Sequence, residues 1–360
     1  MSLPQIECLY RMKDLALDHS QNLLGNRWLE KGHGAFVFGP SGVGKSVVVI
    51  QASSLWGANM SAFDIRPARA LRIIILQHED SRNDVIEMAQ LINHLELTHE
   101  QAMLLKRNVW IANLVGRTGD RFISALKSYI SEFPPDLIII NPYSAYIGEG
   151  FQDDDKQKEF LYNKLSPVLK DHECGALIIA HTTKAGGSSQ DDMTLTEYQY
   201  SMQGRAILTN WARAMLGIRP GDNESDQQRV FRFTATKRGE RIGWKKYDSY
   251  WKWSANEMES KTKTTLWVPA DAYDMMSAVP RNRLTPEGLL DYISFTDPLS
   301  EQEIYLIVNE KRKESERIGI HRVRAYLDIL SEIAPPVVKR VEIFRSGTRP
   351  AIKYKRCPVK

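Results

Sequence analysis

The stretch Gly39-Pro40-Ser41-Gly42-Val43-Gly44-Lys45-Ser46 fits the pattern GxxxxGK[ST] at every fixed position. No other feature of this 360-residue chain restricts its fold so sharply. The loop works only between a buried strand and the start of a helix. The apolar run Ala35-Phe36-Val37-Phe38 before it predicts that strand, and Val47-Val48-Val49-Ile50-Gln51-Ala52 after it predicts the helix. Gly42 and Gly44 let the backbone curl so that its N–H groups converge on a phosphate at the positive end of the helix. Lys45 then reaches the β- and γ-phosphates of ATP, and the Ser46 hydroxyl holds Mg²⁺.

Around the loop, strands alternate with helices. Apolar runs at Ala35–Phe38, Leu71–Gln77, Asn108–Ala112, Leu137–Asn141, Ala176–Ala180, Ala212–Ile218 and Val230–Thr236 predict strands. Ser81–Leu95 and Arg121–Glu132 predict helices between them. Such alternation implies an α/β fold with a mostly parallel sheet covered on both faces. Ligands bind beyond the C-terminal ends of the strands in such sheets. The residues just after each strand are therefore the candidates for chemistry.

After the second strand come Gln77-His78-Glu79-Asp80. Glu79 is the candidate general base for an attacking water, and Asp80 a helix cap or a metal-side group. The run Asp136-Leu137-Ile138-Ile139-Ile140-Asn141 has the form of a Walker B strand. It ends in Asn141 where a carboxylate is expected, so metal affinity should fall unless Asp80 or another carboxylate compensates. His181, after the next strand, is placed to sense the γ-phosphate. Arg213, Lys237 and Arg238 put cations beside later strand ends, where they can serve a neighbouring subunit's site.

Length favours one larger domain plus a smaller one, and 42% apolar residues suffice for a sizeable core. The expected division is an N-terminal helical arm (1–30), an ATPase domain (31–255), a linker (256–284) and a C-terminal module (285–360). Three scattered cysteines form neither a disulfide framework nor a metal set. No apolar run approaches a membrane span and no signal-peptide pattern opens the chain. The expectation is a cytoplasmic protein without a membrane partner.

The net charge is +4, yet from Val338 onward eight basic residues face only Glu342. Ser300-Glu301-Gln302-Glu303 is a capping-box signature, a second helix is expected at Ile320–Leu330, and Val337–Phe344 and Ala351–Arg356 read as a hairpin. Two helices and a basic hairpin suggest a winged-helix-like α+β domain, contacting duplex DNA or another protein. His321, Arg322 and Arg324, with Arg345, Arg349 and Lys353 of the hairpin, are its candidate DNA contacts.

The ordered series Gly39–Ser46, Gln77–Asp80, Leu137–Pro142, His181–Lys184, Gly204–Arg213 and Lys237 resembles the RepA-type hexameric replicative helicases, RecA-like ATPases of plasmids, phages and mobile elements. The resemblance spans about Trp28 to Trp253. It implies a RecA-like P-loop core and a homo-oligomeric ring, usually a hexamer, with ATP between subunits. Gly39–Ser46 would hold ATP and Mg²⁺, and Glu79 would act as base. His181 would couple the γ-phosphate to a DNA loop, Arg213 would act in trans, and Lys237 is the second choice for that role. Segments 148–158 and 184–196 match the family's central loops that contact single-stranded DNA. Asn141 departs from the family's aspartate.

The leading expectation is an ATP-dependent ring helicase or translocase acting in replication of a mobile genetic element. An ATP-gated nucleic-acid-binding assembly with little turnover is the alternative that Asn141 favours. A RecA-like ATPase of recombination or defence is the third.

Overall fold

A computed structural model of the chain describes residues 7–148, 153–182, 193–202, 205–220, 230–244, 248–256, 264–270, 284, 286–310, 318–332, 337–343 and 351–357. A short helix α1 (Leu9–Met12) is followed by β1 (Asn22–Leu24) and β2 (Leu29–Glu30), which pair antiparallel. The phosphate-loop strand β3 (Gly34–Gly39) leads into α2 (Lys45–Gly57). Then come β4 (Ile73–Gln77), α3 (Arg82–Ala89), α4 (His99–Asn108), β5 (Val109–Asn113), α5 (Gly119–Glu132), β6 (Leu137–Asn141) and α6 (Tyr143–Ile147). After α7 (Asp154–Lys158) and α8 (Ser166–Asp171) come β7 (Gly175–His181), α9 (Leu195–Gln199), α10 (Arg205–Trp211) and β8 (Ala214–Pro220). Strands β9 (Val230–Lys237), β10 (Asp248–Asn256) and β11 (Thr264–Pro269) complete the sheet.

The nine strands run in the order β11-β10-β9-β8-β3-β7-β6-β4-β5. Strands β8 to β5 are parallel, and β9, β10 and β11 extend the β8 edge antiparallel. The continuous apolar runs follow from burial on both faces. Side chains of a strand alternate between faces, so Ile73 and Ile75 enter one core while Ile74 and Leu76 enter the other. Leu137 and Ile139 divide from Ile138 and Ile140 in the same way. Helix α5 covers the second face with Phe122, Ile123, Leu126 and Ile130, spaced to fall on one helical stripe.

The N-terminal arm differs from expectation. Among its described residues only Leu9–Met12 is α-helical, with one 3₁₀ turn at His19–Gln21, and Leu23, Leu24, Trp28 and Leu29 are fully buried in the main core. Asn22 fixes the β1–β2 turn by donating to Gly25 O (2.8 Å) and accepting from Arg27 N–H (3.1 Å). These residues belong to the ATPase domain because removing four large apolar side chains from water outweighs a free arm.

The far boundary also moves. The core runs past residue 255 to β11, where the Gln51 amide of α2 donates to Trp267 O (2.8 Å) and accepts from Trp267 N–H (2.9 Å). Of the rest of the expected linker, 257–263 and 271–283 lie outside the described residues. The expected helix Ser81–Leu95 ends as α3 at Ala89 and continues as the 3₁₀ turn Gln90–His94.

The C-terminal module contains α11 (Pro286–Leu289), α12 (Glu301–Glu310), α13 (Ile320–Glu332) and the antiparallel pair β12 (Val338–Ile343) and β13 (Ala351–Arg356). The Ser300 capping box forms as read, with Ser300 N–H donating to Glu303 (2.6 Å) and Glu303 N–H to Ser300 Oγ (3.2 Å). Leu289, Ile304, Val308, Val323, Leu327 and Leu330 build its own small core. Among the described residues no helix is long and apolar enough to cross a membrane.

Candidate functional site

Register brings the strand-end residues to one edge of the sheet. Gly39 pairs with His181 across β3 and β7, and Gln77 with Asn141 across β4 and β6. The phosphate loop leaves β3 at this edge and enters α2 at Gly44. Two glycines are dictated by neighbours. A Cβ on Gly39 would meet Ile218 O of β8 at 2.4 Å. Gly44 has φ +78°, and a Cβ there would lie 2.8 Å from the Trp253 ring and 3.1 Å from that of Trp267. The loop is therefore pressed against the aromatic wall of β10 and β11.

Lys45 is buried, and its ammonium donates to Gly39 O (3.0 Å) and Pro40 O (2.6 Å) and lies 3.3 Å from His181 Nδ1. While Lys45 is charged, the Nδ1 lone pair faces it, which places the imidazole proton on Nε2. The lysine occupies the mouth of a loop whose Gly42, at φ +80°, has open space beside it. Burial pushes the Lys45 ammonium down to about 8, partly opposed by the charge of Glu79. Burial, together with the Lys45 charge, also lowers His181.

Beside the lysine lies a ring of polar side chains. The Asn141 amide donates to Ser46 Oγ (3.1 Å) and to Gln77 Oε1 (2.6 Å). The Gln77 amide donates to Asp80, whose carboxylate also lies close enough to Ser46 to feel its hydroxyl. Asp80 is the one carboxylate in this ring. Burial, then the neighbouring Asp84, raise its pKa, while the nearby Ser46 hydroxyl lowers it. Glu79 is exposed at the same edge, within electrostatic range of Lys45 and Tyr146.

These residues fit a Mg²⁺-triphosphate. A hydroxyl beside a carboxylate is a hard-oxygen donor set, and Mg²⁺ characteristically takes one or two carboxylates with substrate phosphates completing its shell. Among the described residues no cluster of His, Cys, Asp and Glu could cage a metal alone. Ser46 and Asp80 would hold the ion, with Asn141 orienting the Ser46 hydroxyl. Bound there, Mg²⁺ supplies neutralisation of charge on the β- and γ-oxygens. Asp80→Asn is expected to raise the Mg²⁺ concentration needed for half-maximal turnover by about tenfold or more. Asn141→Asp is expected to lower it, and a Mg²⁺ titration of ATP hydrolysis reads both.

Arg213 and Lys237 are elsewhere. Arg213 precedes β8, and its N–H donates to Gly34 O (2.8 Å) at the opposite end of β3 from the phosphate loop. Six residues of strand separate the two ends by roughly 20 Å. The Lys237 ammonium donates to Thr209 O (2.8 Å) and Ala212 O (2.6 Å), closing the end of α10. Arg238 and Arg27 gather at this end around the buried Glu30.

Of segment 148–158, residues 149–152 lie outside the described residues, and 154–158 form α7 rather than a loop. Of segment 184–196, residues 184–192 lie outside them, as do Thr183 and Gly204, and Leu195 opens α9. In the C-terminal module Arg324 pairs with Glu301 (2.8 Å), Lys353 with Glu303 (3.2 Å), and Arg340 with Asp328. The basic surface there is less free than the sequence implied. Arg345 and Arg349 lie outside the described residues. Sequence reading assigned no role to Gln77, Gln51, Trp253 or Trp267. Gln77 ends an otherwise apolar strand, which was the available signal; the other three carry none that spacing reveals.

A family model described as an AAA domain matches residues 11–187. The match covers the phosphate loop, Glu79, Asp80, Asn141 and His181, and supports a nucleotide-binding ATPase of the AAA/RecA-like P-loop class. No curated protein matches the chain.

Proposed function

We propose that this chain is an ATP-dependent, ring-forming DNA helicase or translocase that acts in replication of a mobile genetic element. The supporting observation is the division of its candidate residues between two ends of one sheet. Lys45, Ser46, Asp80, Glu79 and His181 gather at the strand C-termini, while Arg213 is exposed roughly 20 Å away. A cation so placed can meet a triphosphate only in another copy of the chain. That is the economy of a ring with nucleotide between subunits.

In this reading Lys45 gives up its loop carbonyls to the β- and γ-phosphates. Glu79 accepts a proton from the attacking water. His181, released from Lys45, hydrogen-bonds near the γ-phosphate and reports its presence to segment 184–196, which follows β7 and contacts single-stranded DNA together with segment 148–158. The C-terminal module, read as a winged helix, meets duplex DNA or protein. The polar ring around Asn141 favours a second reading, an ATP-gated assembly with little turnover, because it replaces one expected charge by an amide.

The test is displacement of a labelled strand from a tailed duplex with ATP and Mg²⁺. Displacement by the parent chain is expected. Arg213→Ala alone should be inactive, and mixing it with Glu79→Gln should restore part of the activity. Binding without displacement would favour the ATP-gated assembly, and absence of rescue would remove Arg213 from a role in trans.

A pH effect follows from Lys45. Phosphate binding favours the charged lysine, so its pKa in the complex exceeds the value of about 8 in the free protein. Binding therefore takes up a proton above that pH. ATP affinity is expected to be flat below about 8 and to fall by up to about tenfold per pH unit above it, measured by equilibrium titration across this range.

A further inference from the structure

At the opposite end of the sheet from the nucleotide edge, two adjoining hollows share Arg107. One, about 520 Å³, is lined by Arg69, Arg72 and Arg107 with Asp136. The other, about 470 Å³, is lined by Lys106, Arg107, Met103 and Trp110 with Glu100. Both border the start of β5, the edge strand of the sheet. The groove they form has a cationic half and an aromatic half.

Its two carboxylates, Asp136 and Glu100, face four cations, Arg69, Arg72, Lys106 and Arg107, and do not neutralise it. Asp136 is engaged by Arg69 (2.5 Å) and by the Arg72 backbone N–H (2.9 Å). Among the described residues no ion pair involves the side chains of Arg72, Lys106 or Arg107, and all three are exposed. Trp110 is 47% exposed, an unusual state for so large a ring. It is nevertheless held in place. One face stacks on Phe133 (centroids 5.1 Å, 29° between planes), and its indole N–H donates to Arg107 O (3.1 Å). A rigid indole with a free surface, set among unpaired cations, is the arrangement that stacks an unpaired base while neighbouring charges track the phosphates.

We propose that this groove is a second binding surface for single-stranded nucleic acid, distinct from the central loops and independent of the nucleotide edge. Trp110 stacks a base, and Arg72 and Arg107 contact backbone phosphates on either side. Charge complementarity selects a polyanion, and the open aromatic face selects unpaired bases over duplex. A strand held here runs along the β5 edge, remote from the phosphate loop of the same subunit.

The experiment uses the full chain without added nucleotide and a deoxythymidine oligonucleotide carrying 5-iododeoxyuridine. Photocrosslinking should label the peptide containing Trp110. By fluorescence anisotropy Trp110→Ala should weaken binding about tenfold or more. The double variant Arg72→Glu, Arg107→Glu should weaken it further and flatten the dependence on log salt by about 1.4, at about 0.7 per lost phosphate contact. Trp110→Phe should recover part of the loss, which keeps the test sound if the alanine variant folds poorly. Crosslinks confined to other peptides, or unchanged affinity and salt slope in the double variant, overturn the proposal. ATP binding measured in parallel separates the two readings. Its loss in Lys45→Ala with an intact groove leaves this inference standing, and intact ATP binding with an indifferent groove removes this inference alone.

Discussion

Replacing Lys45 by alanine is expected to weaken ATP binding by at least about a hundredfold and to reduce hydrolysis to background. Each hydrogen bond from a charged donor contributes about 1.5–3 kcal/mol, and this ammonium already engages two carbonyls and faces one imidazole nitrogen. A triphosphate offers it stronger, charged acceptors. In the free protein the change should be mild, because burying an ammonium carries a desolvation cost, visible in a pKa lowered to about 8. Titration calorimetry with ATP and thermal unfolding of the same variant check the two halves. Retained nanomolar-to-micromolar binding in Lys45→Ala would remove the phosphate loop from the nucleotide site.

Glu79→Gln is expected to keep ATP binding and to lower turnover by about 10²–10⁴-fold, the range for loss of a positioned general base. The residue is exposed at the strand edge and its charge reaches Lys45, so the variant removes a carboxylate facing the triphosphate without opening the core. Asp80 sits one residue away but is held by the Gln77 amide, with the Ser46 hydroxyl close by. The two carboxylates therefore separate experimentally. Asp80→Asn should shift the Mg²⁺ requirement, whereas Glu79→Gln should leave it and depress the rate. The reverse pattern would exchange their roles.

The phosphate loop and the strands that carry it were legible because their constraints are local. A buried parallel strand must be apolar on both faces, and the loop's glycines and lysine stand at fixed spacing. Thus β3, β4, β6 and β7 appear within two residues of where their apolar runs place them. The extra strands β10 and β11 were hidden because Asp248, Ser249, Lys252, Ser254 and the threonines of β11 break up their apolar runs. What fixes them is the long-range clamp between Gln51 and Trp267. The hairpin at residues 22–30 was missed for a related reason. Leu23, Leu24, Trp28 and Leu29 are too closely spaced to show a period, and their burial depends on the sheet they meet.

Asn141 shows the same limit at the level of chemistry. Sequence marks the missing carboxylate but not its replacement. The fold answers by turning the Asn141 amide toward Ser46 and Gln77, with Gln77 in turn holding Asp80 near the same hydroxyl. No spacing rule connects residues 46, 77, 80 and 141, because strand order brings them together. Lys237 illustrates the converse, since its place beside a strand end suits a trans contact while its ammonium closes the end of α10.

The central claim is that this strand-end site turns over ATP with Asp80 supplying the charge that Asn141 lacks. Steady-state ATP hydrolysis by the full chain, with and without single-stranded DNA and beside Lys45→Ala, tests it most directly. Mg²⁺-dependent turnover that rises with DNA and vanishes in the variant is expected. Tight ATP binding with no hydrolysis under either condition would contradict it.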